Sequence, residues 1–278
     1  MRSRVAFIRR MRLLLITLLY IPGLLMAQST FSPLGARCMA MGSISSVMAD
    51  ESSLFNNIGG LAYANDGAFI ASQERTSLPG ANRSCAGLVI RKKDLGLGMG
   101  AVRFGDATYN EQTLIAGVGH QIHRTSLGLR VNLVEYQAVN FPVRSGWSVD
   151  LGFLSRLTTQ LTFGASITNS NRAHITTREL LPVRFIAGVG FHPTSSYTLA
   201  LEAAKELDYP VAIRLGFEYS FRSTVFLRSG MQLNPAVISF GTGFRKKRLK
   251  LDAGIRYGSM TGYSAQTTVG WALTKSGT

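Results

Sequence analysis

The sequence predicts an all-β fold: a transmembrane antiparallel β-barrel of about fourteen strands, preceded by a short N-terminal helical segment. Three observations predict this fold. An export leader opens the chain, segments of about ten residues alternate apolar and polar side chains, and the connections between them tend to alternate between short and long.

Residues 1–27 have the pattern of a secretory signal peptide. Five arginines precede an uncharged apolar run from Leu13 to Met26, and the small Ala27 suits a signal peptidase. The run is too short to span a bilayer comfortably as a helix. We therefore expect cleavage before Gln28 and a mature protein in the cell outer membrane.

The mature chain would be basic and poor in cysteine. The whole sequence carries a net charge of +15, and removal of the five leader arginines leaves +10. Export makes nucleic acid a poor candidate partner, so outer-membrane lipids are the expected one. In an oxidising periplasm Cys38 and Cys85 could form a disulfide, although two cysteines do not make a disulfide scaffold.

Strict alternation is clearest from Val211 to Phe221, where all six odd positions are apolar and the even positions are small, polar or charged. A period of two puts the apolar side chains on one face of a strand. The same pattern recurs in 127–133, 147–153 and 249–257. It predicts strands whose apolar face contacts lipid.

The full pattern predicts an even number of strands, about fourteen, which returns the chain to the side where it entered. The predicted strands are 66–75, 83–92, 95–104, 111–122, 125–137, 146–156, 159–168, 183–192, 196–204, 210–221, 223–233, 236–245, 248–257 and 262–273.

Connection lengths agree with short periplasmic turns and longer outer loops. The tight links are Lys93-Asp94, His123-Arg124, Thr158, Arg222 and Lys246-Lys247; the long ones are 106–110, 138–145 and 169–182. Asn234-Pro235 is short where a long loop is expected. A soluble β-sandwich also alternates, but this many strands would need two domains, and no linker divides the series. We therefore assign 66–278 to the barrel.

Residues 28–65 lack the alternation and are assigned to a plug. Within them Gly35, Ala36, Arg37, Met39, Met41 and Gly42 are followed by an Ala-Asp-Glu turn at Asp50 and by a stretch containing Asn57, Gly60 and Leu61. This motif resembles the N-terminal segment shared by FadL-type transporters and the PorV and PorQ proteins of Bacteroidetes-like bacteria. The resemblance implies a fourteen-stranded barrel with an inward-folded plug. This sequence departs from the family's usual Asn-Pro-Ala-Gly-Leu, because Ile58 and Gly59 stand in place of Pro and Ala.

Local chemistry makes two predictions within the plug. Asp50 can cap a short helix that carries Leu54 and Phe55, and Gly59-Gly60 can end it in a turn of positive φ. Whether the plug merely fills the bore or moves as a gate stays open, because a barrel of intermediate width needs filling in either case.

Charged residues on the polar strand faces are predicted to point into the lumen, because charge on the lipid face is costly. Both signs are mixed, which favours ion pairs between wall and plug over a substrate path. A basic stretch, Arg245-Lys246-Lys247-Arg248, falls on a predicted periplasmic turn, solvated or docked to an acidic partner or a headgroup. The predicted lumenal charges are Arg130, Asp150, Arg184, Glu202, Arg214, Glu218, Arg228, Lys250, Asp252 and Arg256.

No pattern in the sequence indicates an enzyme, a cofactor or a metal site. It has no HExxH, paired CxxC or P-loop motif, and Gly96, Gly98 and Gly100 read as close-packed strand glycines. His120 and His123, three apart on one predicted strand, would lie on opposite faces.

Three functions remain. The PorV and PorQ resemblance implies an accessory of type IX protein secretion, with secretion subunits or exported cargo as partners. FadL-like uptake of hydrophobic small molecules is the alternative, and a structural or scaffold barrel is the third. The longest outer loop, 169–182, is polar and leans away from capture of a hydrophobic ligand.

Overall fold

The computed structural model describes residues 33–65, 67–175, 180–207 and 209–273. The predicted signal peptide, the first residues of the predicted plug, and Arg178 and Glu179 of the polar loop lie outside these ranges. None of the described helices is long and apolar enough to cross a membrane.

The fold is a closed antiparallel barrel of fourteen strands in sequential order, closed by pairing of β1 with β14. It confirms the predicted fold class, and most predicted strands agree with the observed ones to within two residues at each end. The strands are β1 Gly67–Thr76, β2 Arg83–Lys92, β3 Leu95–Gly105, β4 Tyr109–Ile122, β5 Thr125–Ala138, β6 Arg144–Arg156, β7 Leu161–Thr168, β8 Arg184–Thr194, β9 Tyr197–Glu206, β10 Ala212–Phe221, β11 Val225–Leu233, β12 Val237–Lys246, β13 Leu249–Gly258 and β14 Gly262–Ala272.

Alternation along the strands separates an apolar outside from a polar inside. On β5, Leu129, Val131 and Leu133 are 43%, 41% and 51% exposed, whereas Arg130 and Asn132 between them are buried. Register places complementary groups opposite each other on the inner face, such as Arg214 of β10 beside Glu202 of β9. The wall therefore has an outward apolar band and an inward face of polar, charged and small side chains.

The two ends of the barrel differ. At one end, which we call the terminal rim, the described chain enters β1 and leaves β14, and the strands are joined by short turns at 93–94, 123–124, 157–160, 195–196, 222–224 and 247–248. The opposite end, the loop rim, includes the longest connection, 169–183. Lys93, His123, Arg222 and Lys247 adopt positive φ, which tight turns between strands require.

Residues 33–65 lie inside the barrel. They form helix α1 (Ala36–Ala40) and two 3₁₀ helices, Glu51–Leu54 and Ile58–Tyr63. The expectation that Gly59-Gly60 ends a helix with positive φ is wrong: both glycines lie within the second 3₁₀ helix, and neither has positive φ. Gly59 is required instead by close contact with the wall, because a Cβ there would lie 2.8 Å from the backbone nitrogen of Phe153.

The wall is interrupted between β6 and β7. Strand β7 has only eight residues, and its ladder with β6 ends at Leu151 and Ile167, so 144–150 of β6 have no strand partner on that side. The chain turns at Asn169, a buried residue with φ of 53°, and the following loop folds inward. We call this feature the β6–β7 break.

Candidate functional site: the plugged lumen

The glycines that flank helix α1 fix how the plug enters and leaves it. Gly35 and Gly42 have φ values of 108° and 72°, which side chains rarely tolerate. A Cβ at Gly42 would also lie 2.7 Å from the carbonyl oxygen of Leu215 on β10. The predicted motif glycines thus serve the turns at both ends of α1 and a backbone contact with the wall.

The apolar motif residues anchor the plug in two places. Met41 packs with Ile44 and Met48 against Ala200 of β9. Leu61 belongs to a larger cluster described below. Ala36 and Met39 are buried as well.

The polar motif residues hold the plug's internal shape. The side chain of Asn57 donates to the carbonyl oxygens of Ser46 (2.5 Å) and Phe153 (2.9 Å) and accepts from the backbone N–H of Gly59 (3.0 Å). Asp50 caps the first 3₁₀ helix by accepting from the backbone N–H of Ser52 (2.9 Å). One asparagine therefore joins two parts of the plug to strand β6.

Strand glycines let the plug touch the wall. A Cβ at Gly128 of β5 would lie 2.5 Å from the carbonyl carbon of Ile58, and one at Gly96 of β3 would lie 2.5 Å from the carbonyl oxygen of Leu61. Gly98 similarly faces Leu54. Glycines on the inner faces of the strands thus mark where the plug backbone contacts the wall. The packing there is so close that it leaves no room for an added methyl group.

Seven charged residues form one connected network between plug and wall, which we call the plug–wall ion cluster. Arg37 of the plug bridges Asp50 and Glu218 at 2.8 Å each, and Lys250 of β13 contacts Asp50 (3.1 Å) and Glu51 (2.9 Å). Arg228 extends it from Glu218 to Asp252. Its members are Arg37, Asp50, Glu51, Glu218, Arg228, Lys250 and Asp252.

Glu202 of β9 forms a second tie. Its carboxylate accepts from the backbone N–H groups of Ser45 (2.8 Å) and Ser46 (2.6 Å) and pairs with Arg214 (2.7 Å). Arg214 in turn donates to the carbonyl oxygen of Ser43 at 3.0 Å. A buried carboxylate needs such compensation, because its desolvation is otherwise very unfavourable.

A third tie joins the plug to the β6–β7 break. Arg130 pairs with Asp150 at 2.6 Å and donates to the carbonyl oxygen of Leu54 at 2.7 Å. Asp150 also accepts from the backbone N–H of Asn169 at 2.7 Å. The same carboxylate therefore contacts a plug-binding arginine and the point where the wall opens.

The remaining predicted lumenal charges pair away from the plug: Arg184 contacts Glu206 at 2.8 Å, and Arg256 contacts Glu74 at 2.8 Å. Glu74 also binds Arg83 of β2. Glu74 and Arg83 are not among the predicted lumenal charges, although both lie on strands with the same alternation. The signal was present, since Ile70, Ser72 and Glu74 occupy one face at period two.

One sector of the lumen is apolar. Leu54, Phe55, Ile58 and Leu61 of the plug pack against the inner faces of β1 to β4. Charged ties join the plug to β9, β10 and β13, beside the smaller apolar contact of Met41 with Ala200. The plug thus packs against an apolar part of the wall on one side, and ion pairs hold it on the other side. The wall residues of this sector are Ile70, Cys85, Val89, Val102 and Ile115.

The inward loop seals the β6–β7 break. Ser170 donates its backbone N–H to Val149 at 2.7 Å, and the Asn171 side chain accepts from the N–H of Val149 at 2.9 Å. These bonds replace the missing ladder on β6. Leu181 of the loop is fully buried against Val134 and Tyr136 of β5, with Ala173 and Ile175 at the edge of that cluster.

Burial and charge set the chemistry of the plug's titratable groups. Burial alone would raise the pKa of Asp50, but Lys250 and Arg37 hold the pKa of that carboxyl well below its ordinary value. Burial, reinforced by Glu202, raises the pKa of the Cys38 thiol. Cys38 and Cys85 are both free and buried, so the possible disulfide is not present.

The terminal rim is strongly basic. Among the described residues its turns and strand ends carry one acidic residue, Asp94, whereas the loop rim carries both signs. The basic residues of the terminal rim are Arg91, Lys92, Lys93, Arg124, Arg156, Arg222, Arg245, Lys246, Lys247 and Arg248.

Known proteins resemble this chain in structure but not in sequence. No protein-family model and no curated protein sequence matches the chain. The toluene transporter TodX of P. putida is similar with a TM-score of 0.67 at 12% identity, over 88% of this chain and 100% of TodX. The monoaromatic hydrocarbon channel CymD gives 0.68 at 12%, over 87% and 97%.

A Pseudomonas aeruginosa FadL homologue is also similar, with a TM-score of 0.63 at 10% identity over 90% of this chain and 99% of that one. These similar proteins are transport channels, not enzymes, and they do not support the narrower PorV and PorQ resemblance. Identities this low establish the fold alone: the chain has a barrel fold similar to that of these proteins.

Proposed function

We propose that this protein is an outer-membrane channel for hydrophobic small molecules. The observation that carries the proposal is the β6–β7 break, which has apolar surface on both sides. Inside lies the cluster of Leu181, Val134 and Tyr136. Outside lies an apolar groove of about 610 Å³, lined in part by Leu151, Ile167 and Phe185, where the ladder ends.

An apolar solute could leave the lumen sideways through such a break. Movement of the loop at residues 169–175 and 180–183 would open the break between the Leu181 cluster and the outer groove, so that a hydrophobic molecule could pass from lumen to lipid with little exposure to water. A polar solute would gain nothing from this route. The loop is held to β6 by hydrogen bonds at Trp147, Val149 and Asp150 rather than by a full ladder, so opening it disrupts no strand pairing.

The difference between the two rims indicates how the barrel is oriented in the outer membrane. Short turns and both chain ends belong on the periplasmic side in outer-membrane barrels, and the longest connections face outward. We therefore place the terminal rim in the periplasm. An export leader in residues 1–27 would deliver the chain there.

A reversible lock tests the proposal. A Cβ at Gly146 of β6 would lie 3.8 Å from Cγ1 of Ile175 in the loop, which is the side-chain position that a cysteine sulfur would take, so these two positions are chosen for a designed disulfide. We expect the double variant Gly146→Cys/Ile175→Cys, in cells lacking the native gene, to lose toluene uptake when oxidised and to regain it on reduction. Each single cysteine variant is the matched control and should transport in both states.

Equal uptake by the oxidised and reduced double variant would contradict lateral passage, and unchanged toluene and long-chain fatty acid uptake on deletion of the gene would contradict the function. The secretion-accessory role stays a prediction of the motif resemblance. Recovery of secretion subunits or exported cargo with the native protein from outer membranes would support that role instead.

A further inference from the structure

A polar cavity of about 360 Å³ opens at the terminal rim between plug and wall. Arg37, Asp50 and Lys250 of the plug–wall ion cluster form its inner end, and Arg245 of β12 and Lys247 and Arg248 of the β12–β13 turn also line it. The cavity therefore reaches from the basic rim to the ion pairs that hold the plug.

Positive charge is in excess in this cavity. Its carboxylates, Asp50, Glu51 and Glu218, are already paired with Arg37, Lys250 and Arg228. Within the described ranges, Arg245, Lys247 and Arg248 form no ion pair. Arg245 also stacks on the ring of Phe226 at 4.8 Å, and three cations without an ion pair in a concave site create a potential that attracts an anion.

Trp271 connects the cavity to the outer face of the barrel. It lines the cavity, is 46% exposed, and pairs in register with Phe69 and Leu249 of the neighbouring strands. Phe69 and Leu273 are exposed beside it. Tryptophan next to Lys and Arg marks the headgroup level of a membrane.

We propose that this cavity binds the headgroup of an anionic phospholipid from the periplasmic leaflet, with its phosphate at Arg245, Lys247 and Arg248 and its acyl chains along Trp271 and Leu273. The continuous apolar edge favours a lipid, because a soluble anion or an acidic protein segment would use the cations alone. The proposal depends on the orientation given above and needs no transported substrate.

Trp271 is also a reporter. The chain has two tryptophans, so Trp147→Phe leaves Trp271 as the only one. We expect brominated phosphatidylglycerol, mixed into phosphatidylcholine bilayers that contain the full-length protein, to quench Trp271 with at least about threefold preference over brominated phosphatidylcholine. Equal quenching by the two lipids would overturn the proposal.

Two triple variants separate the cavity from the general charge of the rim. Arg245→Gln/Lys247→Gln/Arg248→Gln should abolish the preference, whereas Lys92→Gln/Lys93→Gln/Arg222→Gln removes the same charge from exposed positions on the same rim and should keep it. Heat-modifiable migration on a gel verifies that each variant folds. If both triple variants lost the quenching preference equally, the preference would come from the general charge of the rim, and the proposed site would be overturned.

Competition identifies the source of the anion. Millimolar inorganic phosphate and a soluble oligoglutamate peptide should leave the quenching preference unchanged. Displacement by phosphate would assign the cavity to a free anion, and displacement by the peptide would assign it to an acidic protein segment; either result overturns the lipid proposal. Because no solute is transported, failure here is distinguishable from failure of the uptake proposal.

Discussion

At the residue scale, Glu202 by itself binds a turn of the plug and neutralises a buried arginine. Its side chain is fully buried, and it satisfies two backbone N–H groups of the plug while balancing Arg214. Removing one partner of a buried pair leaves the other charge without compensation, which costs more than the pair contributes. The plug's turn at Ser45-Ser46 therefore depends on one wall carboxylate.

We expect Glu202→Gln to lower the free energy of unfolding by about 3 kcal/mol, because Arg214 is left buried without its partner. The urea midpoint in detergent micelles measures the change. Glu135→Gln, which removes the same charge from an exposed position on β5, is the control and should unfold like the wild type. A Glu202→Gln midpoint equal to that of the control would contradict the assigned role.

At the element scale, the plug is a short segment stabilised by its surroundings. Its helices are five, four and six residues long, too short to be stable alone. Their stability comes from the apolar sector on one side and the ion ties on the other. Weakening the ion ties should therefore loosen the plug while the strands stay paired.

Acid should loosen the plug through Asp50. Because its pKa is lowered in the folded protein, Asp50 contributes stability that is complete above its ordinary value of 3.8 and is lost as pH falls through the folded value. We expect ion conductance across planar bilayers to stay low from pH 6 to pH 4 and to rise only as the pH is lowered below 3.8. Asp50→Asn keeps a capping side chain, so it should conduct more at pH 6 and respond less to acid.

Asp106 offers the matched control for that experiment. It is fully exposed in a turn of the loop rim, and the backbone N–H groups of Tyr109 and Thr108 lower its pKa. Asp106→Asn should keep the wild-type conductance profile, since this carboxyl does not touch the plug. An identical profile for wild type and Asp50→Asn would contradict a role for Asp50 in seating the plug.

At the scale of the whole molecule, closure leaves no free edge except at the β6–β7 break. Strands β1 and β14 pair over nine residues, from Ala68 with Ala272 to Thr76 with Ser264. Since an unpaired backbone group is very unfavourable in lipid, pairing of the first and last strands is essential for insertion.

We expect the full-length protein to resist SDS at room temperature and to migrate faster unboiled than boiled. A chain truncated after Gly258 lacks β14 and should show one boiled-like band, because β1 and β13 are left with open edges. A closed-barrel shift in the truncated chain would contradict the observed closure. Truncation after Leu273, beyond β14, is the control that should keep the shift.

The sequence by itself determined the barrel, because alternation at period two is a local pattern that survives in every strand. It also predicts which charges face inward, since lipid excludes them from the other face. The motif from Gly35 to Leu61 predicts the plug. In each of these patterns, the residues close by in the sequence are enough to predict whether a side chain faces the lipid or the lumen.

Only the tertiary structure decided which groups meet across the lumen. No local pattern joins Arg37 to Glu218, or Ser45 to Glu202, because these pairs are more than 150 residues apart in the chain. The break at β7 was equally hidden, since 159–168 alternates like a complete strand and the polar loop after it gives no sign that Leu181 is buried. Barrel curvature and the plug's path set these contacts, and both are properties of the closed molecule.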